Sequence, residues 1–246
     1  MCRIIGVFFI LWISISSAFA SEPDFGKFDG TAVIVDLNTS TKTIYGKHAN
    51  ERVNPCSTFK ILNAMIALDS GAVRDENETI VWDGVVREYP FWNHDHTMRS
   101  AIGVSTVWFY QELARRIGGK KMAEMVRAAE YGNMDTSKTL TDFWLGGGSL
   151  KISPDEQTGF LSKLVRNQLP FSLRSQSTVK DILTLEKKDD YVLAGKTGSC
   201  GGIGWFVGFV KHHEHVKVFA FQIRGEGSNG AEAKKIALQY LIKGKL

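Results

Sequence analysis

Ser57 and Lys60 stand three positions apart in the run Pro55-Cys56-Ser57-Thr58-Phe59-Lys60, which opens an apolar stretch from Ile61 to Leu68. On a helix this spacing puts both side chains on one face, a hydroxyl within hydrogen-bond reach of an amine. Serine needs a neighbouring base to become a nucleophile, and lysine supplies one only when burial favours its neutral form. The stretch is apolar on nearly every side, as in a helix sunk in a core, where an unpaired lysine is rare. The spacing alone is a weak signal. Ser177-Thr178-Val179-Lys180 repeats it in a polar stretch beside Arg174, Gln176 and Asp181. Company separates the two. Lys196-Thr197-Gly198 sits at a strand end before Gly-rich chain, and Ser105-Thr106-Val107 lies at the start of a helical pattern. Tyr131-Gly132-Asn133 and Phe143-Trp144-Leu145 fall between them.

A frame with strands at both ends and helices in the middle must position these residues. Thr31 to Asp36 reads as a strand, with Thr43-Ile44-Tyr45 as its hairpin partner across Asn38-Thr39-Ser40. Ser57 to Ser70 is expected as one helix stopped by Gly71, Val104 to Ile117 as a second, and Lys120 to Ala129 as a third. A fourth, Pro154 to Val165, has Ser153 as its N-cap and proline at its first position. Tyr191 to Thr197, Gly204 to Lys211 and His215 to Arg224 read as antiparallel strands, followed by an amphipathic helix from Ala231 to Lys243. The expectation is an α+β protein. Residues 21–55 and 176–246 form an antiparallel sheet flanked by helices, and residues 56–175 an all-α part.

The chain has 246 residues. Met1-Cys2-Arg3, an apolar run from Ile4 to Ile15 and Ala18-Phe19-Ala20 follow the order of a secretory signal peptide, residues 1–20. A periplasmic or secreted location is therefore expected, with no membrane attachment after cleavage. The mature chain, 21–246, is long enough to bury a sizeable core. Without Arg3 it carries 29 Lys+Arg against 26 Asp+Glu, a net charge of +3. So mild and interspersed a balance argues against a nucleic-acid partner. Two cysteines remain, Cys56 and Cys200, which in an exported chain form one disulfide or persist as two buried thiols. His94-Asp95-His96 and His212-His213-Glu214-His215 lack the spacing of a shaped zinc site. The second falls where a hairpin turn is due, and no metal is expected.

In order along the chain, Ser57-x-x-Lys60, Ser105-x-Val107, Tyr131-Gly132-Asn133, Trp144-Leu145 after Phe143, and Lys196-Thr197-Gly198 resemble the penicillin-recognising serine enzymes. Val107 stands where class A enzymes and many transpeptidases carry a polar residue. The full set is similar to the class D, oxacillinase-type β-lactamases over essentially the whole mature chain. The resemblance implies the penicillin-recognising fold and hydrolysis of penicillins, a small-molecule substrate, with Ser57 acylated. It implies no separate cofactor. Lys60 instead takes up CO2 as N6-carboxylysine and acts as general base in acylation and deacylation. Burial against Phe59, Val107 and Leu145 would keep that amine neutral, and Trp144 offers an indole N–H that can only donate.

The same resemblance implies that Ser105 bridges Ser57 and Lys196 and passes a proton to the leaving nitrogen. Lys196 and Thr197 would meet the substrate carboxylate, with Val107, Leu145, Gly198 and Ser199 also at the substrate, and backbone N–H groups of Ser57 and Ser199 would form the oxyanion hole. Tyr131 and Asn133 would shape the site. Class D enzymes often place an arginine on the last strand–helix connection as a carboxylate anchor. Arg224 is the candidate here, against a surface ion pair, while the usual position falls nearer Lys234 or Lys235. By analogy with some class A carbapenem-hydrolysing enzymes, a Cys56–Cys200 disulfide is implied beside the oxyanion hole. Two rivals share these motifs: a penicillin-sensor domain that stays acylated, and a cell-wall transpeptidase or carboxypeptidase.

Overall fold

The computed structural model describes residues 22–243, so the expected signal peptide lies outside the described residues. The two ends of the chain meet in one antiparallel sheet. Its strands are β1 (Asp29–Asp36), β2 (Lys42–Tyr45), β3 (Thr184–Lys187), β4 (Tyr191–Cys200), β5 (Ile203–His212) and β6 (His215–Arg224), in the order β2-β1-β6-β5-β4-β3. β1 pairs along its whole length with β6, from Asp29 opposite Arg224 to Asp36 opposite Lys217.

Alternation along the strands gives the sheet two apolar faces. Phe219, Phe221 and Ile223 point to one side, where α7 (Gly230–Lys243) covers them with Ala233, Ile236, Ala237 and Leu241. Val218, Ala220, Trp205 and Val207 point to the other and join the larger core. Each fully buried aromatic or branched side chain contributes roughly 1.5–3 kcal/mol, so the two faces together fix the register. α5 (Pro154–Val165) lies across β1, β5 and β6. Its capping box, Ser153 with Glu156, and its leading proline start it where the sequence predicts.

The remaining helices are α1 (Lys60–Asp69), α2 (Met98–Gly103), α3 (Val107–Ile117), α4 (Gly119–Ala128) and α6 (Leu173–Ile182). α1 is buried from Lys60 to Ala67 and packs against α3, α4 and α6. Among the described residues no helix is long and apolar enough to cross a membrane.

Several expected elements shift. The helix expected from Ser57 begins at Lys60, because Cys56–Phe59 forms a 3-10 turn. In that tighter winding residues three apart eclipse one another, which brings Ser57 and Lys60 closer than an α-helix would. The helix expected from Val104 begins at Val107, because Ser105 has a left-handed backbone, φ 60°. α6 spans the expected 175/176 boundary in a stretch that reads as solvated. Its buried polar residues are satisfied: Gln176 Nε2 donates to Phe171 O at 2.8 Å, and Ser175 Oγ donates to Asp69. Here the second Ser-x-x-Lys drops out, since Ser177 is exposed and Lys180 Nζ donates to Asn167 Oδ1 at 2.7 Å.

Candidate active site

Ser57 sits half-buried in the 3-10 turn, and the preceding Cys56 takes a left-handed φ of 52°. The turn is held because Cys56 N–H donates to Trp144 O at 3.0 Å. Lys60 Nζ lies 2.7 Å from Ser57 Oγ. The lysine is completely buried, with the Tyr110 ring centroid 5.5 Å from Nζ. Burial, and secondarily the charge of Lys196, holds this amine well below the usual lysine range. A buried, deprotonation-prone amine against a hydroxyl is the arrangement nucleophilic catalysis requires.

Lys196 comes from the middle of β4. Its Nζ donates to Ser105 Oγ at 2.9 Å and to Thr197 O at 3.0 Å. Burial, then the neighbouring charge of Lys234, lowers its pKa to about 7. Ser105 occupies the loop between α2 and α3, and its strained backbone costs roughly 1–3 kcal/mol. That conformation is held because Ser105 N–H donates to Ile102 O and Thr106 N–H to Ala101 O. Strain falls beside Ser57, at Cys56, and at Ser105, both serines lining one cleft, and functional sites are where such strain collects.

Two glycines let these elements close. A Cβ on Gly198 would lie 3.0 Å from Pro55 O and 3.3 Å from Ser57 N, so glycine lets β4 press closely onto the turn that carries Ser57. A Cβ on Gly230 would lie 2.8 Å from Thr197 Cβ and 2.9 Å from Gly198 O. The start of α7 therefore abuts the same strand. Ser199 Oγ accepts from Gly230 N–H at 2.8 Å, and Asn229 Oδ1 accepts from Ala231 and Glu232 N–H as the N-cap. Cys56 and Cys200 are joined by a disulfide, Cα atoms 5.7 Å apart, tying the turn to the end of β4 across 144 residues. In the chain-entropy limit such a loop gives roughly 5 kcal/mol.

These parts form the floor of a cleft of about 630 Å³. It brings together Ser57, Ser105, Val107, Thr197, Gly198 and Ser199 from the expected set. β3 pairs with β4 only as far as Ala194, so among the described residues the edge from Lys196 to Ser199 is free of a neighbouring strand. The sequence reading missed Tyr89, Phe91, Val104, Asn229 and Ala231, which also line the cleft. An N-cap signature, Asn229 before an apolar-periodic run, was available for the α7 side. Tyr89 caps and Phe91 lies within a single 3-10 turn, Pro90–Trp92, too short for a period to mark a face. Their rings stack at 5.6 Å, and Tyr89 lies 4.8 Å from Trp92, making an apolar wall at the mouth.

Trp144 is fully buried and stacks on Phe59 at 5.2 Å, and Leu145 beside it is half-buried against the core. The indole Nε1 is buried with no hydrogen-bond partner among the described residues. An unpaired buried donor costs roughly 1–3 kcal/mol, and this one belongs to the same cluster as the residue preceding Lys60. Tyr131 and Asn133 support that segment. Asn133 accepts from Lys151 N–H at 2.9 Å and donates to Ser149 O at 2.9 Å, and Tyr131 Oη accepts from Gln157 Nε2 at 3.2 Å.

Arg224 does not line the cleft. Its Nη1 pairs with Glu51 at 2.6 Å and its Nε donates to Gln222 Oε1 at 2.8 Å. β6 is separated from β4 by β5, so the arginine stands two strands from the open edge with its charge already met. The carboxylate-anchor expectation for Arg224 thus gives way to the ion pair. Lys234 is the cation that comes near, lining a smaller cavity of about 70 Å³ with Lys196 and Thr197.

Comparison with known proteins agrees with this geometry. The family model for the penicillin binding protein transpeptidase domain matches residues 19–241. Probable beta-lactamase YbxI of Bacillus subtilis (strain 168) is 42% identical over 226 residues, 90% of this chain and 83% of that protein. The crystal structure of a class D β-lactamase from Bacillus subtilis superposes with a TM-score of 0.88 at 42% identity, covering 92% of this chain and 96% of that one. Regulatory protein BlaR1 of Bacillus licheniformis is 38% identical over 228 residues, 89% of this chain but 38% of its own length. Sequence, fold and cleft agree, and the chain belongs to the class D β-lactamases, hydrolases that open the β-lactam ring.

Proposed function

We propose that the protein is exported and hydrolyses penicillins through an acyl-enzyme on Ser57, with a CO2-carboxylated Lys60 as general base in both halves of the cycle. The observation that carries this reading is the fully buried Lys60 amine 2.7 Å from Ser57 Oγ. The residues fit a carboxylated lysine: a buried amine held toward its neutral form can add CO2, and the unpaired Trp144 N–H awaits an acceptor. When present, the carbamate supplies a base that takes the Ser57 proton and later activates water.

The remaining roles fall to the chain's own groups. Ser57 Oγ attacks the lactam carbonyl carbon and the ring C–N bond breaks. Ser105 Oγ, held by Lys196 Nζ at 2.9 Å, stands ready to pass a proton to the leaving nitrogen. Charge developing on the carbonyl oxygen meets the N–H groups of Ser57 and Ser199, each such donor worth about 3–4 kcal/mol of barrier. The substrate carboxylate is assigned to Lys196 and Thr197, with Lys234 behind them. Its negative charge raises the Lys196 pKa back from about 7 and so keeps the ammonium protonated when substrate is bound. The free edge of β4 offers backbone partners to the amide side chain, and the Tyr89–Phe91 wall offers apolar contact beyond it.

Intact-mass analysis during reaction with a penicillin tests the turnover. The expected result is a Ser57 adduct that forms and decays while many equivalents of ring-opened product accumulate. One adduct per protein that persists with no further product would contradict the reading and support a sensor.

A further inference from the structure

Away from the cleft, the tips of two hairpins bring Asp190, His212 and His213 together. One ligand atom from each lies within 4.8 Å of the other two. His212 Nε2 is 3.6 Å and His213 Nε2 3.9 Å from Asp190 Oδ2. The backbone holds the three in place. His212 pairs with Tyr191, the residue after Asp190, across the β4–β5 ladder, and His213 N–H donates to Asp190 O at 2.8 Å. Adjacent residues in a strand point to opposite faces. His213 escapes that rule through a left-handed φ of 52°, which lets both imidazoles face one carboxylate.

We propose that Asp190, His212 and His213 form a surface site for a divalent cation of the zinc class, completed by water. Bonds of 2.0–2.1 Å in a tetrahedral site place ligand atoms roughly 3.3–3.4 Å apart, so the two carboxylate separations of 3.6 and 3.9 Å need to close by about 0.2–0.6 Å. Two imidazoles with one carboxylate suit Zn2+ and its transition-metal neighbours, whereas Mg2+ and Ca2+ favour all-oxygen sets. Lys188, the nearest basic residue on the β3–β4 turn, is paired with Glu186 at 2.7 Å, which offsets its charge. The cation would clamp the β5–β6 turn to the start of β4. Lys196 lies six residues further along that strand than Asp190, roughly 20 Å away, so the clamp stabilises the strand without touching the chemistry. The sequence hides the site because Asp190 becomes a neighbour only through the ladder.

Calorimetric titration of the untagged protein with Zn2+, and separately with Mg2+, tests the proposal, together with the melting temperature and penicillin turnover. The expected result is one zinc site of about micromolar Kd, weakened at least about tenfold by Asp190→Asn, His212→Gln or His213→Gln and left intact by His94→Gln. Zinc at about one hundred times Kd should raise Tm by roughly 5 °C in the wild type and not in His212→Gln, with turnover unchanged in every variant. Zinc binding unaffected by the three substitutions, binding no tighter than that of Mg2+, or no binding below about 1 mM would each overturn the proposal.

Discussion

Lys60→Met is expected to lower kcat/KM by about 10²–10⁴-fold while leaving the fold as stable as the wild type or more so. Methionine matches the length of the buried stem, so the core keeps its volume. What disappears is the amine placed 2.7 Å from Ser57 Oγ. The stability half of the expectation follows from proton linkage. Burial depresses the Lys60 pKa in the folded state, so between that lowered value and about 10.4 the unfolded chain binds more protons than the folded one. Stability therefore rises with pH through that window, and the lysine's penalty is present in full below the lowered pKa. Methionine carries no such penalty. Urea denaturation in CO2-free buffer should show the variant's advantage shrinking as pH climbs toward 10. A kcat/KM loss of less than about tenfold would place the general base elsewhere.

The second large effect belongs to Trp144. Trp144→Phe keeps an aromatic ring against Phe59 and against Phe143, whose centroid lies 4.9 Å away, but removes the indole N–H. Deacylation should slow by about 10²-fold, more than acylation does, giving a burst of product followed by a slow steady state that added bicarbonate partly restores. The lost volume destabilises, while removal of an unpaired buried donor stabilises, so the net change in stability should stay within about 2 kcal/mol. Stopped-flow kinetics separates the two steps. Equal slowing of both, with no response to bicarbonate, would reduce Trp144 to a packing residue.

What the sequence could and could not disclose follows from the kind of signal each element carries. β1, β4, β5 and β6 alternate or run apolar, and α5 begins on Ser153-Pro154, so local pattern located them. α6 escaped because its buried positions include Ser175 and Gln176, polar groups whose partners are distant in sequence. β3 escaped as a short, largely exposed edge strand. At the site, Ser57 and Lys60 became legible only through Lys196-Thr197-Gly198 and the motifs between. Their geometry was finer than the pattern: a 3-10 turn rather than an α-helix, and a strained loop at Ser105 rather than a helix start. Arg224 had the right charge and lies at the end of the last strand. Sequence does not reveal that Glu51 meets it two strands from the open edge.

The central claim, that buried Lys60 works as a CO2 adduct, is read most directly by NMR of the protein equilibrated with isotopically labelled bicarbonate. The predicted result is one protein-bound carbamate resonance that is absent in Lys60→Met, fades on acidification as the amine is protonated, and tracks kcat through a bicarbonate titration. Undiminished penicillin turnover in carbonate-depleted buffer, with no carbamate resonance, would contradict it and leave the free amine as the base.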